Sequence, residues 1–330
     1  MVKRIEWVDS IKGLAIFTVV VGHCVTDCLS SDSYPESYLF LESLKDFIYI
    51  FHMPLFFIIS GFVFYISKSY DKYKVKVLDF ALVYVIWSLL TWLSKYLLGS
   101  SVNNPVTIMD LVSIIYKPLM VYWYLYVLIF MYIYTSVMNI TEVKFSHVVL
   151  FGIIAVVTKL FNFNIGIGNA FLYHLVFFMI GGYCVYSRLI YKINKWQILT
   201  MILIIVLNCI FYFEYQLQQG VVEIVKTFMV ATVASLLCFC MFKCIGNVKY
   251  LTLLGKNTLQ IYVMHCFFTG GLRIVFKQLE IHNLALYMFM GTVLGIMIPI
   301  LVARICTRYA LLNIVFSPLT SLEKLGIWKR

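Results

Sequence analysis

The sequence predicts an all-α, polytopic membrane protein: a bundle of about ten transmembrane helices with both termini in the cytoplasm. The first observation is composition, since 62% of the 330 residues are hydrophobic and only 12% are charged, against about 25% charged in soluble domains. The second is that apolar runs of bilayer length recur along the chain, and the third is that basic residues cluster in alternate connections. We therefore expect residues 1–330 to form a single integral membrane domain.

Each predicted span is an apolar run of roughly 20 residues, the length that crosses a bilayer as a helix. In chain order the runs cover residues 13–30, 46–66, 77–98, 119–138, 147–161, 169–187, 196–213, 221–242, 257–276 and 284–303. The fifth run is short, which indicates a tilted or partly re-entrant helix.

The distribution of Lys and Arg predicts the orientation. Most of the 26 basic residues lie before the first run, in every second connection after it, and in the tail 307–330, so we place these segments in the cytoplasm. The net charge of +11 then reflects cytoplasmic loops, and nucleic acid is not an expected partner. The predicted location is the bacterial cytoplasmic membrane, with membrane lipid as the surrounding partner.

His23 is the first candidate for chemistry. It lies about 16 Å beyond Lys12 along a continuous helix, which puts Lys12 at the cytoplasmic interface and His23 near the middle of the membrane. A buried imidazole can act as a general base for a hydroxyl, or it can be a packing residue hydrogen-bonded to a neighbouring helix. Asp27, one turn further on, either orients this imidazole or marks the outer interface.

His52 is the second candidate, because it lies at a comparable depth on the next, antiparallel run. It begins the segment FHMPLFFIISGF, in which Pro54 frees a backbone carbonyl and Ser60-Gly61 permits close helix approach. The alternative is two independent core histidines. A third histidine, His265, lies within the run 257–276. Taken alone, a histidine of this kind is more often structural than functional.

The cysteines and aromatic residues give weaker signals. Cys24 and Cys266 each follow a histidine, but adjacent helical residues point about 100° apart, so neither thiol is expected to meet its neighbouring imidazole. The other cysteines lack zinc-ligand spacing, and no metal is expected. Trp123 is predicted to be an interfacial aromatic residue.

The cytoplasmic connection 67–76 is the densest basic stretch, with Lys68, Lys72, Lys74 and Lys76. These lysines either set topology and contact anionic lipid, or bind the phosphates of a nucleotide-containing donor such as coenzyme A. The residues alone leave both possibilities open.

Several motifs together resemble the acyltransferase-3 family of integral membrane acyltransferases. The family pattern of Asp, then Arg or Lys with Gly, then His after ten intervening residues is matched by Asp9, Lys12, Gly13 and His23. The later matches are FHMPLFFIISGF, similar to the fucose 4-O-acetylase-like branch; Lys74-Val75-Lys76, where many members have two arginines; WYLYVL at Trp123; and LGKNTLQIYVMH, residues 254–265, which includes Asn257 and His265.

The resemblance implies a membrane O-acyltransferase that moves acetyl from acetyl-CoA to a sugar hydroxyl of a surface or exported polysaccharide or glycolipid. It implies that His23 is the catalytic base, that Asp9 and Lys12 support it or the donor, and that His52 is a polariser or second proton carrier. Acetyl-CoA would be a co-substrate rather than a tightly bound cofactor. Lysines in place of the commoner arginines offer a point charge without a bidentate fork.

Two other classes of function remain open at this stage. A proton-coupled transporter or glycan exporter could use the histidines as a relay, although no related halves are evident in the sequence. A membrane scaffold would need neither histidine. Polysaccharide biosynthesis proteins are the expected partners of an acyltransferase, and transfer can be direct or pass through a covalent intermediate.

Overall fold

The computed structural model describes residues 4–30, 34–68, 73–161, 163, 165–187, 199, 202 and 220–328. These residues are helical or in turns, and no strand occurs among them. The helices are α1 (Glu6–Ser30), α2 (Tyr38–Ile66), α3 (Tyr73–Leu98), α4 (Ile108–Ser113), α5 (Trp123–Val137), α6 (Phe145–Phe161), α7 (Ile167–Tyr186), α8 (Val221–Ile245), α9 (Lys249–Lys256), α10 (Thr258–Gln278), α11 (Leu284–Cys306), α12 (Ala310–Asn313) and α13 (Pro318–Lys324).

The helices confirm a polytopic membrane protein. Eight of them in the described part of the chain are long and apolar enough to cross a bilayer, and α6 is a shorter apolar helix of 17 residues. Every predicted span has a corresponding helix except 196–213, which lies outside the described residues apart from Leu199 and Ile202. The cytoplasmic placement of the termini stays a prediction.

The chain divides into two compact units. The first unit comprises Met1–Ala15, Tyr49–Tyr73 and Phe130–Gly255, and the second comprises Ile16–Ile48, Lys74–Ile129 and Lys256–Arg330. Each unit therefore assembles segments that are distant in sequence, as expected when apolar helices pack against one another rather than against their chain neighbours alone.

In the first unit, glycines set the closest helix crossings. A Cβ on Gly61 of α2 would lie 1.9 Å from the carbonyl oxygen of Phe178 in α7, and a Cβ on Gly181 would lie 2.0 Å from that of Ile58. This confirms the expectation that Ser60-Gly61 permits close helix approach. Small residues at such positions allow backbones to meet, which is how helices gain packing energy in lipid.

A second crossing in this unit joins the start of α1 to α9. A Cβ on Gly13 would lie 1.9 Å from the Leu251 carbonyl oxygen, and a Cβ on Gly255 would lie 1.7 Å from that of Asp9. The hydroxyls of Ser10 and Thr252 are 2.8 Å apart at the same place. Gly13 and Gly255, which belong to two separate sequence motifs, therefore both lie at the same backbone contact between α1 and α9.

The second unit has its apolar core between α1, α2, α10 and α11. Its members are all buried: Cys24, Val25, Cys28, Leu41, Phe276 and Tyr287. Helix α11 begins with the Asn283 side chain accepting a hydrogen bond from the Leu286 amide at 2.9 Å, which satisfies one of the free amides of the first turn.

Two surface segments of the second unit pack on α3. In the predicted outer loop, Thr107 and Asp110 form a capping box that starts α4, and the Tyr84 hydroxyl donates to the Ile114 carbonyl. In the tail, the Trp87 indole donates to the Val315 carbonyl at 2.8 Å, and the Trp87 and Phe316 rings pack in a tilted arrangement with centroids 5.5 Å apart. The tail thus forms part of the folded unit.

Candidate functional site

The candidate site lies in the second unit, where three helices each present polar or small residues at four-residue spacing. Helix α1 contributes His23 and Asp27, and α10 contributes His265, Thr269 and Arg273. Residues four apart lie on one face of a helix, so each row lies along one side of its helix. We call this arrangement, completed by Tyr287, Gly291 and Gly295 of α11, the three-helix site.

The directions of the three helices follow from their contacts. His23 lies beside His265, and Arg273 interacts electrostatically with Asp27, so α1 and α10 run in the same direction. Gly291 lies against Cys24 and Gly295 against Val20, so α11 runs the opposite way. This agrees with the predicted orientation, in which the first and ninth spans run outward and the tenth runs inward.

At the centre of the site are two imidazoles and a thiol. The ring centroids of His23 and His265 are 5.0 Å apart, and the Cys266 sulfur is 3.3 Å from His265 Nε2. His265 is fully buried, whereas His23 and Cys266 are partly exposed. The arrangement offers two proton acceptors and one soft nucleophile within 4.8 Å of one another.

Backbone carbonyls determine the tautomer of His265. Its Nδ1 lies 2.8 Å from the Tyr262 carbonyl oxygen and 3.0 Å from that of Ile261. Because a carbonyl oxygen only accepts hydrogen bonds, Nδ1 carries the proton and Nε2 keeps its lone pair. The basic nitrogen of His265 is therefore the one that faces Cys266.

This geometry corrects one prediction from the sequence. Adjacent helical residues do diverge at Cβ, but the imidazole ring is long enough for Nε2 to reach the sulfur of Cys266. The expectation that neither His–Cys pair converges is therefore wrong for His265 and Cys266. Cys24, in contrast, is fully buried beside Gly291.

The three side chains also have the chemistry of a metal site. One ligand atom each of His23, His265 and Cys266 lies within 4.8 Å of the others, and nitrogen with sulfur is a ligand set that Zn²⁺ takes. A cation here would occupy the lone pairs that acid–base catalysis needs. The expectation that no metal is required stays a prediction.

Asp27, the second member of the α1 row, belongs to a polar network with α10 and α11. The Tyr287 hydroxyl lies 3.4 Å from the Asp27 carboxylate and 3.3 Å from the Thr269 carbonyl. Arg273 donates to the Asn103 side chain, and its Nε has no hydrogen-bond partner among the described residues. Asp27 thus interacts with both Tyr287 and Arg273; the two predicted roles, orienting the His23 imidazole or marking the outer interface, stay predictions.

Two members of this network, Arg273 and Tyr287, line a cavity of about 260 Å³. The polar side chains that line it are Tyr34, Arg273, Lys277, Glu280, His282 and Tyr287. Arg273 is 9% exposed and lines the cavity, and its Nε is a buried donor without a hydrogen-bond partner among the described residues. A buried guanidinium without its full set of acceptors is costly, and an oxygen-rich ligand would supply them.

His52 has a different environment, in the first unit. It is 3% exposed, its ring lies edge-on to Tyr49 with centroids 4.7 Å apart, and it interacts electrostatically with His174. The imidazole that the structure brings to His23 is that of His265. The role of His52 as a polariser stays a prediction.

Asp9 and Lys12 lie at the start of α1. Asp9 is buried and forms ion pairs with Arg4 and with Lys12, whose Nζ is 3.8 Å from the carboxylate. His23 lies fourteen positions after Asp9 along the helix, a rise of about 21 Å, so the two cannot contact the same reacting atom. Asp9 is suited to fixing the start of α1 at its crossing with α9.

The remaining predicted residues lie at helix ends. Lys68 is exposed after α2, Lys74 is exposed and Lys76 half-buried in the first turn of α3, and Lys72 lies outside the described residues. Trp123 opens α5, and Asn257 links α9 to α10, as the predicted helix start requires. No contact of these residues tests donor binding.

Gly295 should be intolerant of a larger side chain. A Cβ there would lie 3.0 Å from Val20 Cγ1 and 3.2 Å from Thr269 Cγ2, so we expect Gly295→Leu to separate α1 from α10. A displacement of about 1 Å can lower a rate about 100-fold. The measurement is acyl transfer per folded protein, with Gly271→Leu as the control because no atom lies within 4 Å of a Cβ there. Equal loss in both variants would contradict this expectation.

Sequence reasoning included His265 but missed Thr269 and Arg273 of α10 and the whole contribution of α11 to the site. The available signal was the spacing of His265, Thr269 and Arg273 within one apolar run, because intramembrane charge is rarely accidental. Tyr287 and the two glycines that follow it at four-residue steps carry the matching signal on α11.

Taken together, the structure defines a polytopic membrane protein in which α1 and α10 bring His23, His265 and Cys266 close together. The sequence matches the model of the Acyl_transf_3 acyltransferase domain over residues 5–304. The chain belongs to this family, whose members are acyltransferases, and the match includes all three helices of the site. No curated protein and no solved structure matches the chain.

Proposed function

We propose that this enzyme transfers an acetyl group from acetyl-CoA to a sugar hydroxyl of a surface or exported polysaccharide or glycolipid, in the cytoplasmic membrane of a bacterium. The observation that carries the proposal is the His23–His265 pair, with ring centroids 5.0 Å apart, inside an acyltransferase domain. The motif FHMPLFFIISGF supports placement in the fucose 4-O-acetylase-like branch.

His23 is the general base in this mechanism. Its imidazole takes the proton of the acceptor hydroxyl as the oxygen attacks the acyl carbon, a role that contributes about 10²–10⁴-fold to a rate. The half-buried position of His23 supports the assignment, because the base must be reachable by substrate while still shielded from bulk water.

The donor would bind at the cytoplasmic ends of the helices. Lys74 and Lys76 lie in the first turn of α3, and Lys68 lies just after the end of α2. Together with Lys72, these lysines would attract the phosphates of coenzyme A. Lys12, at the predicted cytoplasmic end of α1, would support either the donor or His23.

The cavity beside Arg273 is suited to the acceptor. Its volume of about 260 Å³ is slightly below the ~300–1,000 Å³ of drug-sized ligand sites, which suits one sugar unit. Tyr34 and Tyr287 offer ring faces, and Arg273, Lys277 and Glu280 offer hydrogen bonds to hydroxyls. Excess cationic charge in the lining favours an acceptor that carries a carboxylate or phosphate, such as a lipid-linked glycan made by polysaccharide biosynthesis proteins.

The test compares membranes with and without the protein, each supplied with isotopically labelled acetyl-CoA and the cell's own glycan. We expect labelled acetyl esters on the glycan only when the protein is present, detected by mass spectrometry of the released sugars. Glycan that crosses the membrane without consumption of acetyl-CoA would contradict the proposal and favour an exporter.

A further inference from the structure

We propose that Cys266 accepts the acyl group as a thioester before it reaches the acceptor, so that transfer proceeds in two steps. This inference rests on the proposed function and assigns a nucleophile to the same site. It begins from the contact between the Cys266 sulfur and His265 Nε2, 3.3 Å apart.

The His265–Cys266 pair has the three parts that an activated nucleophile requires: a nucleophile, a base within hydrogen-bonding distance, and a group that orients the base. The thiol is the nucleophile and Nε2 the base. The carbonyls of Ile261 and Tyr262 orient the ring by accepting from Nδ1. These carbonyls are part of the helix backbone, so the tautomer is held without help from another side chain.

The surroundings distinguish Cys266 from the other cysteine of the site. Cys24 is fully buried, and a Cβ on Gly291 would lie 2.9 Å from its sulfur, so it has no room for an acyl group. Cys266 is partly exposed and interacts electrostatically with Lys95 of α3. The thiol therefore relies on the adjacent His265 Nε2, 3.3 Å from the sulfur, to take its proton at the moment of attack.

A second base nearby makes the two steps compatible. His23 faces His265 with ring centroids 5.0 Å apart, and a nitrogen of His23 lies within 4.8 Å of the Cys266 sulfur. His265 can therefore serve the thiol while His23 serves the acceptor hydroxyl. A single-step reaction would require only one of these imidazoles.

The steps balance as follows. His265 Nε2 takes the thiol proton, the Cys266 sulfur attacks the carbonyl carbon of acetyl-CoA, and the bond from that carbon to the coenzyme A sulfur breaks. Coenzyme A leaves as a thiol with the proton from His265. His23 then takes the proton of the acceptor hydroxyl, the oxygen attacks the Cys266 thioester, and the leaving thiolate regains a proton from His23.

The experiment uses the purified full-length protein, incubated with labelled acetyl-CoA in the absence of acceptor and quenched in acid. We expect one acetyl group on the peptide that contains Cys266, removed by neutral hydroxylamine and lost when membranes that contain glycan acceptor are added. Cys244, which is exposed, is the matched control: Cys244→Ala should keep both the label and the transfer rate.

The variants separate this proposal from the proposed function. Cys266→Ala should lose the label and lower transfer about 100-fold or more, as loss of a nucleophile does, and Cys266→Ser should accumulate a hydroxylamine-stable ester at that position. Wild-type protein that transfers acetyl while remaining unlabelled, or Cys266→Ala that transfers at the wild-type rate, would overturn the thioester and leave the base role of His23 intact. Wild-type protein that does not react with acetyl-CoA would overturn the donor assignment and the thioester together.

Discussion

His23→Ala is expected to lower acyl transfer by about 10²–10⁴-fold, the usual contribution of a general base. The loss should be mainly in kcat, because the imidazole acts on the hydroxyl as the transition state forms and contributes little to donor binding. The measurement is the initial rate of acetyl ester formation by membranes that contain equal amounts of folded protein.

The control for His23 is His147, whose ring accepts a hydrogen bond from the Lys144 amide at the start of α6. His147→Ala should leave the transfer rate unchanged. A His23→Ala rate within threefold of the wild type would remove His23 from the chemistry, whatever the outcome for Cys266. His23→Gln adds a further test, because it preserves side-chain bulk and hydrogen bonding but cannot take a proton near neutral pH.

Gly255→Ala is expected to prevent correct folding. The added Cβ would lie 1.7 Å from the Asp9 carbonyl oxygen, and neither this oxygen nor the Gly255 Cα can move away without separating α9 from α1. Overpacking of ordinary cores costs about 1–3 kcal/mol, and a backbone clash of this kind should exceed about 4 kcal/mol. The measurement is the yield of monodisperse protein in detergent and its thermal midpoint.

Gly152→Ala in α6 is the matched control for Gly255→Ala. The nearest atoms to a Cβ at Gly152 lie 3.9 Å away, an ordinary van der Waals contact, and alanine favours a helix over glycine by about 1 kcal/mol. This variant should retain or increase yield. Equal yields from the two variants would show that the crossing of α1 and α9 tolerates a side chain.

The sequence predicted the helices well because apolar runs of bilayer length have few alternatives to a helix. It was less informative for short polar segments. Helix α9 lies in a stretch that looks like a connection, and only Gly255 in its motif hints at a close backbone approach. The Thr107–Asp110 capping box lies in a segment that was expected to be a loop. Its sequence pattern, a Thr followed three residues later by an acidic residue, is typical of a helix start.

The sequence allowed the histidines of the candidate site to be identified, but not the contacts that they make. His23 could be identified because an imidazole within an apolar run is costly, and family motifs pointed to His265. The choice of His52 as its companion rested on adjacency along the chain, whereas the contact observed for His23 comes from α10. The pairing of His265 with Cys266 depends on side-chain reach beyond Cβ, which residue spacing does not encode.

The packing of the tail bears on where this enzyme can be shortened. The family match ends at residue 304, but the Val315 carbonyl beyond that point accepts the indole proton of Trp87, and the Asp79 carboxylate accepts from the Leu319 amide. A protein truncated at residue 304 would leave the Trp87 indole without its acceptor, the Val315 carbonyl. The Trp87 ring lies against Phe267, the residue next to Cys266. In lipid no solvent replaces such an acceptor, so the helical turns after residue 304 stabilise the position of α3. Affinity tags should therefore follow these turns rather than replace them.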